Sequence, residues 1–339
     1  MSEKMPPPNL SEGEVVALLD RLYGISGTLK PLVSYDDQNF RVSSAGGRYV
    51  LKISNGSDDP NFLAFQNALL QHMETSAPHV NLPRVVFTKT GAAMGDVVVG
   101  KTRHVVRLLT YLEGIVFAEA EKSIGLYENL GRFMGNFSAA MAGFSTDIVF
   151  TPNQEWNLDE VLGVRNKVHA IKDPENHRLI VGLLEQHESK TVPKLADMRT
   201  GFLHQDANEF NLLVAADNPQ EIAGLIDFGD ALKGRQINEL AITIAYAMLT
   251  DDAIIDVATA IVRGYVEAFP ITEQEASVVM NLAAMRLVAS ITLGSHRALD
   301  YPDNSYITIS QKPSYRVLKA LDALDTDAVQ QQILQAAGF

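Results

Sequence analysis

Two short polar stretches constrain this chain more than any other part of its sequence. The first, HQDANEFN, spans His204–Asn211, and the second, LIDFGD, spans Leu225–Asp230. Asp206 and Asn211 are five residues apart, and Asp227 follows sixteen residues after Asn211. Acids and an amide at these spacings, between apolar runs, are expected to meet at one site.

The residues between the two stretches predict a β-hairpin. LLVA and AGLI are short apolar runs at Leu212–Ala215 and Ala223–Ile226, and turn-forming residues lie between them at Asp217–Pro219. Antiparallel pairing of the runs brings Asn211 and Asp227 side by side at the open end of the hairpin. The two stretches are therefore expected to form one structural unit.

The residue types in this unit match the requirements of phosphoryl transfer. That reaction needs a carboxylate that orients or deprotonates the acceptor hydroxyl, and further oxygen ligands that hold Mg²⁺ on the phosphates. Asp206 suits the first role, and Asn211 and Asp227 suit the second. The order H-x-D-x-x-x-x-N and then D-F-G is the one that kinases use, and His204 is expected to brace the loop by a hydrogen bond.

Near the end of the first third of the chain, the sequence changes from mostly β-type runs to mostly helical patterns. This change predicts two lobes. From Thr28 to Leu112, six β-type runs are separated by Gly, Asn and Asp turns, and one helix interrupts them from Pro60 to about Glu74. We predict an α+β protein with two lobes. Residues 1–112 form a small, mostly antiparallel N-lobe that binds nucleotide. Residues 113–339 form a mainly helical C-lobe, interrupted by one β-type pair, for catalysis and acceptor binding.

Two lysines of the first lobe compete for the role of phosphate ligand. RYVLKIS, Arg48–Ser54, places Lys52 at the V-x-K position of a β-run, upstream of the lobe's helix, where a kinase lysine reaches the phosphates. GDVVVGKT, Gly95–Thr102, satisfies the P-loop pattern G-x-x-x-x-G-K-[ST]. Its β-branched inner residues favour instead a strand over Asp96–Val99 and a turn at Gly100–Lys101. We therefore assign the role to Lys52.

Together these motifs resemble the aminoglycoside phosphotransferase and choline kinase superfamily of small-molecule kinases. The resemblance rests on HQDANEFN, on GLIDFGDALKG and on the helix NELAITIAYAML that follows. Three earlier segments resemble its hydroxylysine kinase branch: SYDDQNFRV (Ser34–Val42), YVLKISN (Tyr49–Asn55) and VRLLTYLEG (Val106–Gly114). The likeness runs over nearly the whole chain, from about Leu10 to about Leu324, and it implies a two-lobed, protein-kinase-like fold.

The resemblance implies a role for each matched residue. Asp206 would be the catalytic base, and Asn211 and Asp227 would be the Mg²⁺ ligands. Lys52 would bind the phosphates of ATP or GTP. The loop that covers the nucleotide would lie in SYDDQNF, and a hinge that contacts the purine would follow the last strand. These two segments supply the other nucleotide-binding residues, Asn39, Phe40, Thr110, Tyr111 and Leu112.

The chain departs from the family at one position. The N-lobe helix normally offers a glutamate to the strand lysine, but NFLAFQNALLQ, Asn61–Gln71, contains none, and Ala64 aligns with that position. Lys52 would then be held by another group, such as Gln66 or an acid near the D-F-G triplet, or phosphate positioning would be weaker. A second hypothesis therefore stays open, a catalytically silent protein that binds nucleotide or metabolite.

Acceptor recognition is predicted from charge. Desolvated carboxylates would balance the ammonium groups of an acceptor such as 5-hydroxylysine, with Asp230 the first candidate, followed by Glu209 and Glu239. An amino-acid acceptor also needs a cation for its carboxylate, and Arg41 and Arg235 are available. Choline, ethanolamine, homoserine and aminoglycosides stay alternative acceptors, because acceptor pockets of this fold are assembled from scattered helices.

Composition limits the partners of the chain. Its 28 Lys and Arg against 41 Asp and Glu give a net charge of −13, which opposes nucleic-acid binding and favours a cationic small substrate. The sequence has no cysteine, and its histidines lack zinc-ligand spacing. No apolar run approaches the roughly 18 residues of a membrane helix, and the first residues lack an apolar signal segment. A cytoplasmic protein without membrane or nucleic-acid partners is expected.

Overall fold

The computed structural model describes residues 5–34, 36–152, 154–301 and 309–339. Tyr35, in the segment predicted to cover the nucleotide, lies outside the described residues. By its internal contacts the chain divides into two compact units. The first contains the residues up to Glu113 together with Ser145–Thr151, and the second contains Gly114–Phe144 and Pro152–Phe339.

The first unit is an antiparallel sheet of six strands with two helices. Strands β1 to β6 are Gly27–Leu32, Gln38–Ser44, Gly47–Ile53, Val85–Val86, Gly95–Val99 and Thr102–Thr110. They pair in the order β1-β2-β3-β6-β4, and β5 also pairs with β6. The helices are α1, Glu12–Tyr23, and α2, Pro60–Ser76. The mostly antiparallel sheet with an inserted helix is as predicted.

Local signals in the sequence set the ends of both helices. Ser11 caps α1 in a capping box with Glu14, and Gly24 ends this helix with a left-handed φ of +67°. Asp59 caps α2, and Pro60 occupies its first turn. One face of α1 then packs with inward residues of the sheet in a core that includes Val15, Leu18, Leu19, Phe40, Val42, Leu51, Ile53, Val106 and Leu108.

The stretch with the P-loop pattern is a β-hairpin. Strand β5 pairs with β6 so that Val99 lies opposite Thr102, and Gly100 turns the chain with a φ of +63°. Lys101 is exposed in this turn. A P-loop leads into a helix whose N-terminal N–H groups bind phosphate, whereas a strand follows here. The predicted strand and turn are confirmed.

The segment Ser145–Thr151 belongs to the first unit although it follows the helix Ile124–Met141 in the sequence, and the ring of Phe150 packs it against α2. The ring of Phe150 lies 4.3 Å from that of Phe65 and 5.3 Å from that of Phe62, both on α2. The predicted two-part division did not include this segment, because its sequence carries no sign of which unit it joins.

The second unit is mainly helical. Helices α3 to α10 are Ile124–Met141, Pro174–Gln186, Ile237–Ala247, Ile254–Ala268, Glu273–Ala276, Val279–Asp300, Gln311–Ala323 and Thr326–Ala337. Strands β7 to β11 are Ile115–Val116, Thr200–Leu203, Leu212–Val214, Ile222–Leu225 and Leu232–Arg235. They form two small antiparallel sheets, β10-β9-β7 and β11-β8.

The predicted hairpin of the second unit is confirmed as β9 and β10. Strands β7, β8 and β11 were not predicted, because runs of two to four residues are too short to show a period. Across the ranges that the structure describes, no helix combines the length and the apolar character needed to cross a membrane.

Helices α3 and α6 cross at glycines. A Cβ added at Gly264 on α6 would lie 1.9 Å from the carbonyl oxygen of Glu128, and one added at Gly131 on α3 would lie 2.0 Å from that of Ile261. Both obstacles are backbone atoms, which cannot rotate away. The two helices therefore reach this distance only because both positions lack a side chain.

We expect Gly264→Ala to lower the free energy of unfolding by about 1–3 kcal/mol, because the added methyl group forces the helices apart. A lower midpoint of urea unfolding would show it. Gly182→Ala on α4 is the matched control, since nothing lies within 4 Å of a Cβ there. Alanine is the better helix former, so this control should be neutral or slightly stabilising. Equal midpoints for the two variants would contradict the close crossing.

Candidate active site

A buried histidine braces the loop that carries the predicted base. The Nδ1 atom of His204 accepts the backbone N–H of Asp206 at 3.2 Å, and its Nε2 atom donates to the carbonyl of Ile226 at 3.1 Å. The ring of Phe228 lies edge-on at 4.6 Å. Burial lowers the pKa of His204 to about 4, so the imidazole is neutral at physiological pH. The bracing role predicted for this histidine is confirmed.

The hairpin brings the two predicted metal ligands to one end. Leu212 pairs with Leu225, and just beyond them the N–H of Ile226 donates to the carbonyl of Asn211 at 2.9 Å. Asp227 is therefore the next residue after this closing bond. Its φ of +63° lies in the left-handed region, which a non-glycine residue adopts only where its surroundings impose it.

Three donors hold the carboxylate of Asp206. The Oδ2 atom accepts the side-chain amides of Asn208 at 2.8 Å and of Asn211 at 2.9 Å. The Oδ1 atom pairs with the Nη2 atom of Arg286 at 2.8 Å. The side chain of Asp206 is still 19% exposed, so a ligand hydroxyl can reach it.

Opposing influences set the proton affinity of Asp206. Burial is the largest of these influences, and together they raise the pKa of the carboxyl to about 7. Arg286 lowers this pKa, whereas the negative charge of Asp230, and to a smaller extent that of Asp227, raises it. A carboxyl with a pKa near the working pH is suited to accept and release a proton in a reaction.

The donor set at the hairpin end fits Mg²⁺. The side-chain NH₂ group of Asn211 donates to the carbonyl and to the carboxylate of Asp206, which leaves its amide oxygen as the atom for a cation. Asp227 adds a carboxylate. Mg²⁺ in kinases takes only one or two protein ligands and completes its octahedron with phosphate and water. The described ranges contain no cluster of three His, Cys, Asp or Glu residues that could hold a metal ion.

Among the predicted acceptor residues, Asp230 lies in the same charge cluster as the base. Burial raises the pKa of its carboxyl, and Arg286 opposes this effect. The negative charges of Asp227 and Glu155 raise this pKa further, and Arg297 lowers it. Two oppositely charged side chains that were not predicted, Glu155 and Arg297, thus act on this carboxyl.

Two other predicted acceptor residues of the second unit, Glu239 and Arg235, bond to other groups of the protein. Glu239 is completely buried and accepts the N–H of His204 at 2.6 Å. Arg235 pairs with Asp159 at 2.8 Å. These contacts give no support to the prediction that either residue binds an acceptor. Glu209 and Glu239 each keep one carboxylate oxygen buried without a hydrogen-bond partner among the described residues, and burial raises the pKa of each carboxyl to about 7.

In the first unit, Lys52 stands in a row of polar residues. It lies opposite Asn39 on β2 and opposite Arg107 on β6, and directly paired residues of neighbouring strands share a face of the sheet. The guanidinium of Arg107 donates to the amide oxygen of Asn67 on α2 at 3.4 Å. Asn67 lies one helix turn after Ala64, the position that aligns with the family's glutamate. In this part of α2 the group that contacts the polar row is therefore the amide of Asn67 and not a carboxylate.

The predicted hinge is partly bonded within the first unit. The N–H of Thr110 donates to the carbonyl of Arg84 at 2.9 Å, and the N–H of Tyr111 donates to that of Arg48 at 3.0 Å. A purine contact in this segment would therefore fall to the carbonyl groups and to the backbone of Leu112.

The side chains of Phe40 and Arg41 point to opposite faces of β2. Phe40 belongs to the core of the first unit, so only its backbone is accessible to a nucleotide. The guanidinium of Arg41 lies 5.8 Å above the ring of Tyr111. The structure thus places Arg41 beside the predicted hinge.

Sequence reasoning missed the residues that hold the base. Asn208 lies two positions after Asp206, a spacing at which asparagine often bonds to its neighbours, and this signal was readable. Arg286 is the one charged residue in the apolar helix segment VVMNLAAMRLVASITLG. A buried charge must be paired, so its presence signals a partner, but the segment does not identify which acid it meets.

Comparisons with known proteins identify the family of the chain. Residues 28–274, well over half of the chain, match the phosphotransferase enzyme family. The hydroxylysine kinase of Danio rerio is 32% identical over 353 aligned residues, which cover 99% of this chain and 98% of the relative. The hydroxylysine kinase of Mus musculus is 27% identical and covers 97% of this chain and 94% of the relative.

Two solved structures share the fold. A microcompartment-associated aminopropanol kinase superposes with a TM-score of 0.74 at 16% identity, covering 93% of this chain and 100% of its own. The amicoumacin kinase hAmiN, solved with AMP-PNP, Ca²⁺ and Ami, superposes with a TM-score of 0.72 at 14% identity, covering 94% and 97%. With its two-lobed α+β fold and its full-length relatives, the chain belongs to the phosphotransferase enzyme family and is a small-molecule kinase.

Proposed function

We propose that this kinase transfers the γ-phosphate of ATP or GTP, with Mg²⁺, to the hydroxyl group of 5-hydroxylysine or a close analogue. Full-length relatives that bear the name hydroxylysine kinase support the acceptor. A protein of the same fold, solved with AMP-PNP and Ca²⁺, supports a nucleotide with a divalent cation. The observation that carries the proposal is the cluster of opposite charges around Asp206, since such an acceptor bears both ammonium and carboxylate groups.

In this proposal Asp206 is the general base. Its carboxylate accepts the proton of the acceptor hydroxyl as that oxygen bonds to the γ-phosphorus, and the bond from phosphorus to the β-phosphate oxygen breaks. The products are the phosphorylated acceptor, the nucleoside diphosphate and a proton on Asp206, which is then released to solvent. Lys52 would bind the phosphates, and Asn211 and Asp227 would hold Mg²⁺, which when bound would neutralise charge on the transferring group.

The half-exposed cation of Arg297 suits the carboxylate group of an amino-acid acceptor. Arg286 and Arg297 are eleven residues apart on α8, about three turns, and so lie on one face of the helix. The Nη2 atom of Arg297 is 3.9 Å from Glu155, with the two side chains 46% and 37% exposed. The next residue, Trp156, is bonded through its carbonyl to Arg286, which pairs with Asp206. We assign the acceptor carboxylate to Arg297 and an ammonium group to Asp230, because Glu155 already pairs with the ammonium group of Lys167.

A phosphotransfer screen tests the proposal. Formation of nucleoside diphosphate is followed with ATP and with GTP against 5-hydroxylysine, choline, ethanolamine, homoserine and an aminoglycoside. The highest kcat/KM is expected for 5-hydroxylysine. A different preferred acceptor would replace the proposed one. Absence of turnover with every acceptor, in a protein that Mg²⁺-nucleotide still stabilises against heat, would establish the silent binding protein instead.

We expect Arg297→Gln to raise the KM for 5-hydroxylysine about 10- to 100-fold, because a charge-assisted bond to the acceptor carboxylate is lost. The KM for 1,5-diaminopentan-2-ol, which has the same amines and hydroxyl but no carboxylate, should stay unchanged in this variant. Arg165→Gln is the matched control, since Arg165 also pairs with a surface glutamate, Glu188, at 2.8 Å. An equal rise of KM for both acceptors would exclude a carboxylate contact.

A further inference from the structure

Asn55 is buried at a point where three segments of the first unit meet. It lies two residues beyond the end of β3, three positions after Lys52, and is 2% exposed. Its backbone N–H donates to the Oδ1 atom of Asp37 at 3.0 Å. Its side-chain amide donates to the carbonyl of Asp36 at 3.2 Å. Asn55 therefore holds the residues that lead into β2 against the end of β3.

The same side-chain amide holds a third segment, which precedes α1. It donates to the carbonyl of Met5 at 2.9 Å and, more weakly, to that of Pro6 at 3.4 Å. We call residues 5–10 the strap. At the other end of the strap, the side-chain amide of Gln38 accepts the N–H of Leu10 and donates to its carbonyl, both at 2.8 Å. Gln38 is the first residue of β2, so both ends of the strap are bonded beside the start of this strand.

The composition of the strap makes it stiff. Residues 6–8 are three consecutive prolines, and the ring of proline fixes φ, so a run of them is extended and loses little entropy when it docks. Proline lacks the N–H group but keeps its carbonyl as an acceptor. Pro8 and Leu10 are buried, and Leu10 belongs to the core of the first unit. Apolar contacts therefore hold the strap together with its hydrogen bonds.

The residues fixed by these bonds adjoin two residues of the proposed nucleotide site. Asn39 follows Gln38 on β2 and lies opposite Lys52 on β3. Because Asn55 and the strap anchor both strands at this end, the side chains of Asn39 and Lys52 keep their relative position before any nucleotide arrives. A site that is already ordered binds its ligand more tightly, since binding does not have to order it.

We infer that Asn55 is a positioning residue that, together with the strap, orders Asn39 and Lys52 for binding the nucleotide. This role depends on the proposed function, in which Lys52 binds the phosphates. A merely structural asparagine would stabilise the first unit without a selective effect on one of the two substrates. The KM for the nucleotide, compared with kcat and with the KM for the acceptor, therefore separates the two roles.

The main variant is Asn55→Ala, which removes the donor to the strap and to Asp36. We expect the KM for the nucleotide to rise about 10- to 50-fold, because binding must then order this part of the sheet. The kcat at saturating nucleotide and the KM for the acceptor should stay within about twofold of the wild type, since the acceptor is bound by other residues. Steady-state kinetics with each substrate varied in turn measure these quantities.

Gln38→Met releases the other end of the strap and should raise the KM for the nucleotide in the same direction, about 3- to 10-fold. Neither Gln38→Met nor Asn55→Ala changes the charge of the chain, so repulsion of the phosphates cannot mimic the effect. If thermal melts show that Asn55→Ala does not fold, Gln38→Met still decides through the same comparison of the two KM values.

Two controls isolate the donors of Asn55. Asn61→Ala makes the same chemical change at an exposed position of α2, in the same unit. Ser57→Ala removes the hydroxyl that donates to the Oδ1 atom of Asn55 at 2.7 Å and leaves the bonds to the strap in place. Both controls should keep the wild-type KM for the nucleotide.

A spin label reports the position of the strap directly. The chain has no cysteine, so Asn9→Cys provides a single attachment site on an exposed residue of the strap. We expect the label to become more mobile in Asn55→Ala and in Gln38→Met, and to stay as in the parent protein in Asn61→Ala.

An unchanged KM for the nucleotide in a folded Asn55→Ala enzyme with a mobile label would overturn the inference. An equal rise of the KM for nucleotide and acceptor would do the same, as would a label that stays immobile in both strap variants. Wild-type turnover and its loss in Lys52→Ala are measured first, and full activity in Lys52→Ala counts against the proposed site. In a wild type that binds Mg²⁺-nucleotide without turnover, the proposed function fails, and the Kd of the nucleotide replaces its KM in every comparison.

Discussion

Asp206→Asn is expected to lower kcat about 10²- to 10⁴-fold, the range that a general base contributes. The thermal melt of the variant shows whether the loop keeps its fold, because the new side chain cannot satisfy all three donors. Asparagine has nearly the shape of aspartate, and its amide oxygen can accept from Arg286 or from the amides of Asn208 and Asn211, but not from both. It cannot take the proton of the acceptor hydroxyl. The measurement is kcat with the best acceptor of the screen, together with the stabilisation of the protein by Mg²⁺-nucleotide.

The hairpin offers a matched control for this substitution. Asp217 lies exposed in the turn at the far end from Asp227, so Asp217→Asn makes the same chemical change in the same element. We expect its kcat to equal that of the wild type. Nucleotide binding should survive in both variants, because neither position is a proposed ligand of the nucleotide or of Mg²⁺. A fully active Asp206→Asn enzyme would remove the base from the proposed mechanism.

The core of the candidate site could be predicted because its geometry is local. Asp206, Asn211 and Asp227 lie within one loop and one hairpin, and the pairing of two short apolar runs is enough to bring them together. The turn residues between the runs limit the register of that pairing. The distances between these three side chains therefore depend on the hairpin and its loop, and little on how the rest of the chain packs.

The residues that hold and surround the base depend on distant contacts. Arg286 follows Asp206 by 80 positions, and Glu155 precedes it by about 50, so helix packing and not local spacing brings them to the site. The apolar helix around Arg286 shows that its charge needs a partner, but several acids could satisfy it. Arg235 illustrates the converse, because its pairing with Asp159 removes a cation that seemed available from sequence.

The burial of one predicted nucleotide-binding residue could be read from the sequence alone. Strand β2 alternates between its two faces, with Phe40 and Val42 buried and Arg41 less so. An apolar residue at this period belongs to the core of a half-buried sheet. The predicted nucleotide contact of Phe40 therefore reduces to its backbone, while Asn39 keeps its side chain on the face of Lys52.

The second large expected effect concerns Lys52, which shares this face of the sheet with Asn39. It distinguishes Lys52 from Lys101 as the lysine that binds phosphate. Lys52 lies within β3, opposite Asn39 and Arg107, in the row of polar residues of the first unit. Lys101 lies exposed in the turn between β5 and β6. The sequence pattern around Lys101 is the closer match to a phosphate-binding motif, but a hairpin turn lacks the helix N-terminus that makes such a motif bind anions.

We expect Lys52→Ala to lower kcat/KM for the nucleotide about 10²- to 10³-fold, the cost of removing one preorganised charge from a transferring group. Lys101→Ala makes the identical change in the same unit and should leave both turnover and nucleotide affinity at wild-type values. Titration of each variant with Mg²⁺-ATP, followed by steady-state kinetics, measures both quantities. Loss of nucleotide binding in Lys101→Ala with full activity in Lys52→Ala would reverse the assignment. In this chain α2 presents Ala64 and Asn67 where the family's helix normally carries a glutamate. A loss of this size in Lys52→Ala would therefore show that Lys52 acts in catalysis without that acid.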